Sequence, residues 1–147
     1  MNIANILARK GSMAVTVRPD QSIRDALALL EHHNIGALVA VEGDHPVGIL
    51  SERDIVREAA HNESFFARVV ADLMTRDVIT GQPQDDLLSV AHTMTERRIR
   101  HLPVVDKGRL VGMVSIGDVV KAQRDHYQGE VDTLQTQIIA DEARPSR

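Results

Sequence analysis

Gly48-Ile49-Leu50-Ser51-Glu52-Arg53-Asp54 and Gly112-Met113-Val114-Ser115-Ile116-Gly117-Asp118 carry the same Gly-x-x-Ser-x-x-Asp pattern, 64 residues apart. Holding that register and moving outward, Thr16 falls on Thr80, Pro19 on Pro83, Ile35 on Ile99 and Leu38 on Leu102. Val41 falls on Val105, Val47 on Val111 and Val56 on Val120. Many of the other apolar positions match in type, as Ile23 does with Leu87 and Leu30 with Met94. An ungapped register of this length marks a duplicated unit. Two copies point to a pseudo-twofold pair, since a solenoid needs about three or more units.

Each copy reads alike. A short extended piece ends at a proline, Ala14 to Pro19 and Val78 to Pro83. A helix follows, with apolar residues at 23, 26, 27 and 30, and at 87, 90, 91 and 94, the spacing of one buried face. Ser22 is its expected N-cap in the first copy, and Asp85 or Asp86 in the second. Two β-rich runs joined by a turn come next, Ala37–Val41 to Val47–Leu50 and Leu102–Val105 to Leu110–Val114. Asp106-Lys107-Gly108-Arg109 is a hairpin turn signal. A second helix starts at Ser51 or Ser115. The unit is β-α-β-β-α, an α/β chain of the α+β type. One copy is too small to bury its own sheet well, so the two are expected to pack sheet against sheet.

Ala4-Asn5-Ile6-Leu7 resembles Ala71-Asp72-Leu73-Met74, so a short lead-in helix precedes each copy. The expected division is residues 1–62 for the first lead-in helix and repeat, 63–124 for the linker helix and second repeat, and 125–147 for a helical tail. The tail carries a stripe at Tyr127, Val131, Leu134 and Ile138, with Gly129 weakening the helix and Arg144-Pro145-Ser146-Arg147 expected to fray.

Composition narrows the function. The 147 residues are 43% hydrophobic and 26% charged, as in an ordinary soluble domain. The longest apolar stretch, Gly36 to Val41, is far too short to span a bilayer, and no membrane partner is expected. No charged segment precedes the apolar residues of the N-terminus, and there is no cysteine, so the expected location is the cytoplasm. Net charge is −4, and Phe65, Phe66 and Tyr127 are the only aromatics. A nucleic-acid partner is therefore not expected, for want of both basic excess and stacking surfaces. Arg97, Arg98 and Arg100 suit a small anionic ligand better than a polymer, although Glu96-Arg97-Arg98 alone reads as a solvated helix end. His92 and Glu96 have chelating spacing but no further ligands, and adjacent His32 and His33 point to different helix faces. No nucleophile, catalytic base pair or phosphate-loop motif is present, so no catalytic residue, metal or catalytic cofactor is assigned.

The duplicated motif has two compatible readings. Ser-x-x-Asp after a strand is a capping box that starts a helix. It is also a ligand site in outline: a strand-to-helix junction offers free N–H groups to an anion. The glycine would let a ligand approach the backbone. A carboxylate one turn into the helix can accept hydrogen bonds from both hydroxyls of a ribose.

The repeat, the doubled signature, and Ile99-Arg100-His101-Leu102-Pro103-Val104-Val105-Asp106 before the second hairpin together resemble a cystathionine-beta-synthase (CBS) domain pair, or Bateman module, over roughly residues 4 to 123. The resemblance implies adenosine-type ligands (AMP, ADP, ATP, NAD(H) or S-adenosylmethionine) in clefts between the two units. It implies that Asp54 and Asp118 hold ribose and that Ser51 and Ser115 contact ribose or phosphate. Thr16 and Thr80 would lie near the base. Arg100 and His101, before the Leu102-Pro103 step, would reach phosphates, with Arg53 as a further cation and Pro103 also counted among the ligand-binding residues. Copy one has Gly36-Ala37 where copy two has Arg100-His101, and copy two has Gly117 where copy one has Arg53. Phosphate-binding charge is thus divided unequally, and the two clefts are expected to differ. The expected function is a stand-alone, non-enzymatic regulatory module that binds an adenine nucleotide and signals by conformational or oligomeric change. A homodimer and an effector protein are its expected partners. The rival is a ligand-free dimeric scaffold that regulates a separate protein.

Overall fold

The computed structural model describes residues 1–12 and 14–143; the expected fraying of Arg144–Arg147 lies outside the described residues. After a first helix, α1 (Ile3–Lys10), the first repeat runs β1 (Thr16–Val17), α2 (Ile23–His33), β2 (Ala37–Glu42), β3 (His45–Ser51) and α3 (Glu52–Ala59). A 3₁₀ turn at Phe65–Ala67 and a short helix, α4 (Val70–Leu73), lead to the second repeat: α5 (Leu87–Arg97), β4 (His101–Asp106), β5 (Arg109–Ser115) and α6 (Ile116–Glu142).

The helix starts follow the sequence signals. Ser22 accepts from the N–H of Asp25, and Asp86 from that of Leu88. Asp85 instead turns back to the N–H of Gln82. Both first helices end on a left-handed residue, Asn34 at φ 51° and Arg98 at φ 54°, which stand at the same repeat position. The hairpins pair in matching register, Ala37 with Ser51 and His101 with Ser115, each shifting by one residue near its far end. The second closes through Lys107 and Gly108, both at positive φ, the two-residue turn that suits the twist of a hairpin. The hairpin tips meet across the pseudo-twofold axis: Arg109 pairs with Asp44 at 3.2 Å, and His45 Nδ1–H donates to the Gly108 carbonyl at 2.8 Å.

The copies differ at their first strand. β1 pairs with β2 in parallel, Thr16 opposite Val39, making a three-stranded sheet. Its counterpart in the second copy is reduced to one bridge, Gly81 to Val104, beside the two-stranded β4–β5 sheet. The first β of the β-α-β-β-α unit shrinks there to a bridge: Gly81, a poor strand residue, stands where the first copy has Val17, and it pairs through its N–H on the Pro103 carbonyl at 2.9 Å and its carbonyl on the Val105 N–H at 2.8 Å.

Two hydrophobic cores form, one per repeat. Val17, Ile23, Ala26, Leu30, Leu38, Leu50 and Ile55 make the first, joined by Val70 and Met74. Leu87, Val90, Met94, Leu102, Val104, Val114 and Val119 make the second, joined by Ile3, Ile6 and Leu7. The lead-in helices therefore cross. α1 docks on the second repeat, with Ile3 and Ala4 N–H groups donating to the Asp85 and Pro83 carbonyls. α4 docks on the first repeat in the same way, with Val70 and Ala71 donating to Gln21 and Pro19. By packing, each lead-in helix serves the copy it does not lead into, and the chain is braced in both directions.

The signature glycines belong to this brace. A Cβ at Gly48 would overlap Met74, and one at Gly112 would come within 2.9 Å of Leu7 Cδ2. The expectation that the glycine admits a ligand is corrected: it admits the lead-in helix. α6 also differs from expectation, since the tail is not a separate helix but the unbroken continuation of the second repeat's last helix through Gly129. Tyr127, Leu134 and Ile138 stay exposed along it. Among the described residues, no helix is long and apolar enough to cross a membrane.

Candidate functional site

A cleft of about 310 Å³ opens between the repeats. The first copy supplies Gly36, Ile49, Ser51, Glu52, Arg53, Asp54 and Arg57; the second supplies Ile79, Arg98, Ile99, Arg100 and His101, with Thr75 and Asp77 from the linker. Five of the residues singled out in the sequence, Ser51, Arg53, Asp54, Arg100 and His101, come together here.

Local structure places each of them. Ser51 ends β3 and caps α3. Its hydroxyl accepts from the Asp54 N–H at 3.3 Å, and its own N–H donates to Asp54 Oδ2 at 2.9 Å. The Ser51 hydroxyl also reaches Asp54 Oδ2 at 3.1 Å. The capping box therefore fixes the Asp54 carboxylate at the mouth of the helix, and among the described residues no cation pairs with it. Arg57 is three residues further along α3, so it rises on the same face as Asp54. Arg98 and Arg100 enter from the other copy. The left-handed turn at Arg98 ends α5 and sends the chain into β4, and the Arg100 carbonyl is held by the N–H of Ile116 at 2.8 Å. The equivalent bond in the first copy runs from the N–H of Glu52 to the Gly36 carbonyl at 3.0 Å.

The electrostatics are lopsided. Arg53, Arg57, Arg98 and Arg100 all line the cleft. None makes an ion pair or side-chain hydrogen bond with another described residue. Guanidinium groups usually find planar acceptors, and their five donors match carboxylate or phosphate oxygens in pairs. His101 is half-buried beside Gly36 and Glu52. Burial holds its imidazole below the ordinary histidine range, and Arg100 and Lys10 push the same way, against the opposing pull of Glu52 and Asp118. It is therefore neutral near pH 7 unless an anion arrives.

The remaining candidates lie elsewhere. Thr16 lines a shallow cavity of about 190 Å³ with Val41, Gly43 and Leu110. Thr80 is exposed, and its neighbour Ile79 lines the arginine cleft. Pro103 is buried in β4, where its carbonyl serves Gly81. Ser115 and Asp118 form the same capping box as Ser51 and Asp54, but Asp118 lines a separate cavity of about 120 Å³ with Arg9, Lys10 and Lys121. The sequence reading left out Arg57 and Asp77, and gave Arg98 two readings, one of three arginines suited to a small anion and a solvated helix end. Arg57 was legible from its spacing to Asp54; the choice between the two readings of Arg98 was not, because it turns on the left-handed residue that ends α5.

A model of the CBS domain matches residues 12–61 and again residues 70–125, the two copies defined by the repeat. The chain belongs to the CBS-domain family. It is 35% identical over 146 residues to the mitochondrial CBS domain-containing protein CBSX3 of Arabidopsis thaliana, covering 92% of this chain and 71% of that one. Among solved structures, the CBS domain pair of protein MJ0100, in complex with 5′-methylthioadenosine and S-adenosyl-L-methionine, superposes with a TM-score of 0.77 at 30% identity, covering 86% of this chain and 98% of that one. A CBS domain protein of Pyrobaculum aerophilum, complexed with AMP, gives a TM-score of 0.72 at 28% identity, covering 80% of this chain and 89% of that one. The fold is thus that of a CBS pair. Some CBS pairs of this shape bind adenosine compounds, with and without a phosphate.

Proposed function

We propose that this chain is a regulatory CBS pair that binds an adenine nucleotide in the Asp54 cleft. The observation that carries the reading is the set of four arginines in one cleft that make no ion pair or side-chain hydrogen bond among the described residues, facing a signature carboxylate that no described cation engages. Asp54 takes the ribose hydroxyls, with Ser51 beside it. Arg53, Arg57, Arg98 and Arg100 take the phosphate. His101 joins them when an adjacent anion favours its charged form. So much positive charge suits AMP, ADP, ATP or NAD(H) better than the sulfonium of S-adenosylmethionine, which would be repelled.

The role is regulatory rather than catalytic: the cleft offers recognition groups and no nucleophile with a base. The signal is a population shift, in which the nucleotide prefers one arrangement of the two repeats and biases it. A C2 homodimer is the expected assembly. Val56 on α3 and Val120 on α6 occupy the same repeat position and are both exposed, so each copy presents an apolar helix face suited to a second chain. An effector protein would read the change, and the absence of cysteine suits the reducing cytoplasm.

Calorimetry and thermal unfolding with AMP and adenosine test the reading. AMP at 100 times its Kd should raise stability by about 2.7 kcal/mol if it binds only the folded state. Arg100→Ala should weaken AMP far more than adenosine, which has no phosphate to lose. Equal weakening of both would mean that Arg100 supports the fold, and an absence of AMP binding would leave the scaffold reading in its place.

A further inference from the structure

Lys10 ends α1, and its ammonium makes two hydrogen bonds far along the chain. It donates to Asp118 Oδ2 at 2.7 Å and to the Met113 carbonyl at 2.9 Å. Both acceptors are repeat equivalents of groups in the Asp54 cleft. Met113 corresponds to Ile49, and Asp118 to Asp54. In the first copy the Ile49 carbonyl is taken by the backbone N–H of Thr75 at 2.9 Å, and among the described residues the Asp54 carboxylate bonds only to Ser51. The linker thus satisfies the first strand with backbone and leaves the carboxylate available. The N-terminal segment satisfies the second strand with a side chain and takes the carboxylate as well.

The lysine is delivered rigidly. Ile3, Ile6 and Leu7 are buried in the second core, and Leu7 lies over Gly112. The helix closes with Gly11 N–H on the Leu7 carbonyl at 2.9 Å, at a glycine whose φ of 93° turns the chain away. An ammonium has three donors, and the one on Asp118 Oδ2 competes with a ribose hydroxyl for that oxygen and sets the cation against the carboxylate. Burial pushes the Asp118 carboxyl up, but the bonds from Lys10 and Ser115 outweigh it and hold the group below the usual range, in the charged form that a cation needs.

We infer that Lys10 is a built-in occupant of the second signature carboxylate, withholding Asp118 from ligand and limiting the chain to one nucleoside site. The inference rests on the nucleotide reading of the Asp54 cleft, and its test separates the two. Native mass spectrometry and calorimetry count adenosine and AMP on the full chain, on Lys10→Met and Lys10→Gln, and on Lys10→Met combined with Asp118→Ala. The parent should bind one equivalent, the Lys10 variants two, and the combined variant one. Lys10→Arg, which keeps the charge, should stay at one. A lysine that merely fastens α1 would alter melting without altering the count. A parent that binds two equivalents, or folded Met and Gln variants that stay at one, overturn the inference. Should both variants fail to fold, carboxyl carbon NMR of the parent decides: adenosine should move the Asp54 resonance and leave Asp118 in place, and a shift at Asp118 overturns it. If the parent binds nothing while Lys10→Met binds one equivalent through Asp118, the reading of the Asp54 cleft fails and the Lys10 inference stands. If no variant binds an adenosine compound, both fall.

Discussion

Asp54 and Asp118 occupy the same place in their repeats, one turn into a helix capped by Ser51 or Ser115 with nearly the same bond lengths. Their surroundings are opposite. Asp54 looks across a cleft of about 310 Å³ at arginines from the other copy. Asp118 is held by Lys10 from the chain's own first helix, with side chains 24% and 35% exposed. The difference teaches that a duplicated motif preserves the scaffold of a site without preserving its availability. The capping box is a local device and survives in both copies. What faces it depends on the opposite repeat and on the lead-in segment, which are free to diverge.

The largest expected effect is on binding. Asp54→Ala removes a charge-assisted acceptor and should cost roughly 1.5 to 3 kcal/mol of AMP affinity. Asp118→Ala should leave AMP affinity unchanged and lower stability by about 1 kcal/mol, because Lys10 and the Ser115 N–H lose their shared acceptor while the Ser115 hydroxyl still caps the helix. Calorimetry and melting of the two variants together measure the asymmetry; equal losses of affinity would break it.

The two glycines offer a comparison in packing. Gly48→Ala drives a methyl into Met74, and Gly112→Ala drives one toward Leu7 with the Ser12 carbonyl 3.3 Å away. Overpacking of this kind costs about 1 to 3 kcal/mol. The Gly112 variant should suffer more, because a backbone oxygen yields less than a methionine side chain, and denaturant unfolding ranks them.

Acidity separates the two sites further. His101, faced by Glu52 from α3, Asp118 from α6, Lys10 from α1 and its neighbour Arg100, has a folded pKa below its unfolded value of 6.5. Below that value the unfolded chain binds a proton that the folded chain refuses, so the free protein should lose stability as pH falls from about 6.5. AMP should reverse the sign at this group, since its phosphate favours the imidazolium, and its affinity should rise as pH falls from about 8 toward 6. Adenosine is the control, because the AMP phosphate titrates nearby. Asp118 acts lower: its stabilising contribution is present above the unfolded value of 3.8 and lost as pH falls through the depressed folded value. Melting curves of the parent and of His101→Gln across this range would separate the two windows.

The smallest effect on stability is expected in the tail. Leu134 and Ile138 are exposed on α6 beyond either core, so Leu134→Glu should change stability by no more than about 0.5 kcal/mol. If the tail joins two chains, light scattering at tens of micromolar should show the same substitution shifting the mass toward monomer.

Much of this molecule was legible before its structure. The 64-residue register set two equivalent units. The apolar spacing of α2 and α5 chose their buried faces, and Ser22, Ser51 and Ser115 marked helix starts, because capping and amphipathic burial are decided within a few residues of chain. The unequal placement of Arg53 and Arg100 already implied unequal clefts. Other features were not local. Val78 to Pro83 aligns with the first strand of the other copy, but Gly81 replaces Val17 at its centre, and among the described residues one bridge forms there. Arg98 read both as a solvated helix end and as one of three arginines suited to a small anion, and the left-handed turn that ends α5 at the cleft chose the second. The glycines looked like room for a ligand until the lead-in helices crossed.

The sequence by itself determined the kind of unit, its duplication, its caps and the chemical types of the groups at each site, all of which rest on short-range geometry and composition. The tertiary structure alone decided which of those groups meet. Arg100 and Asp54 are brought together by the pseudo-twofold packing of two cores, and Lys10 reaches Asp118 across 108 residues of chain because the buried face of α1 docks on the second repeat. A charge is paired or available according to what lies within a few ångströms of it, and that distance is a property of the folded chain.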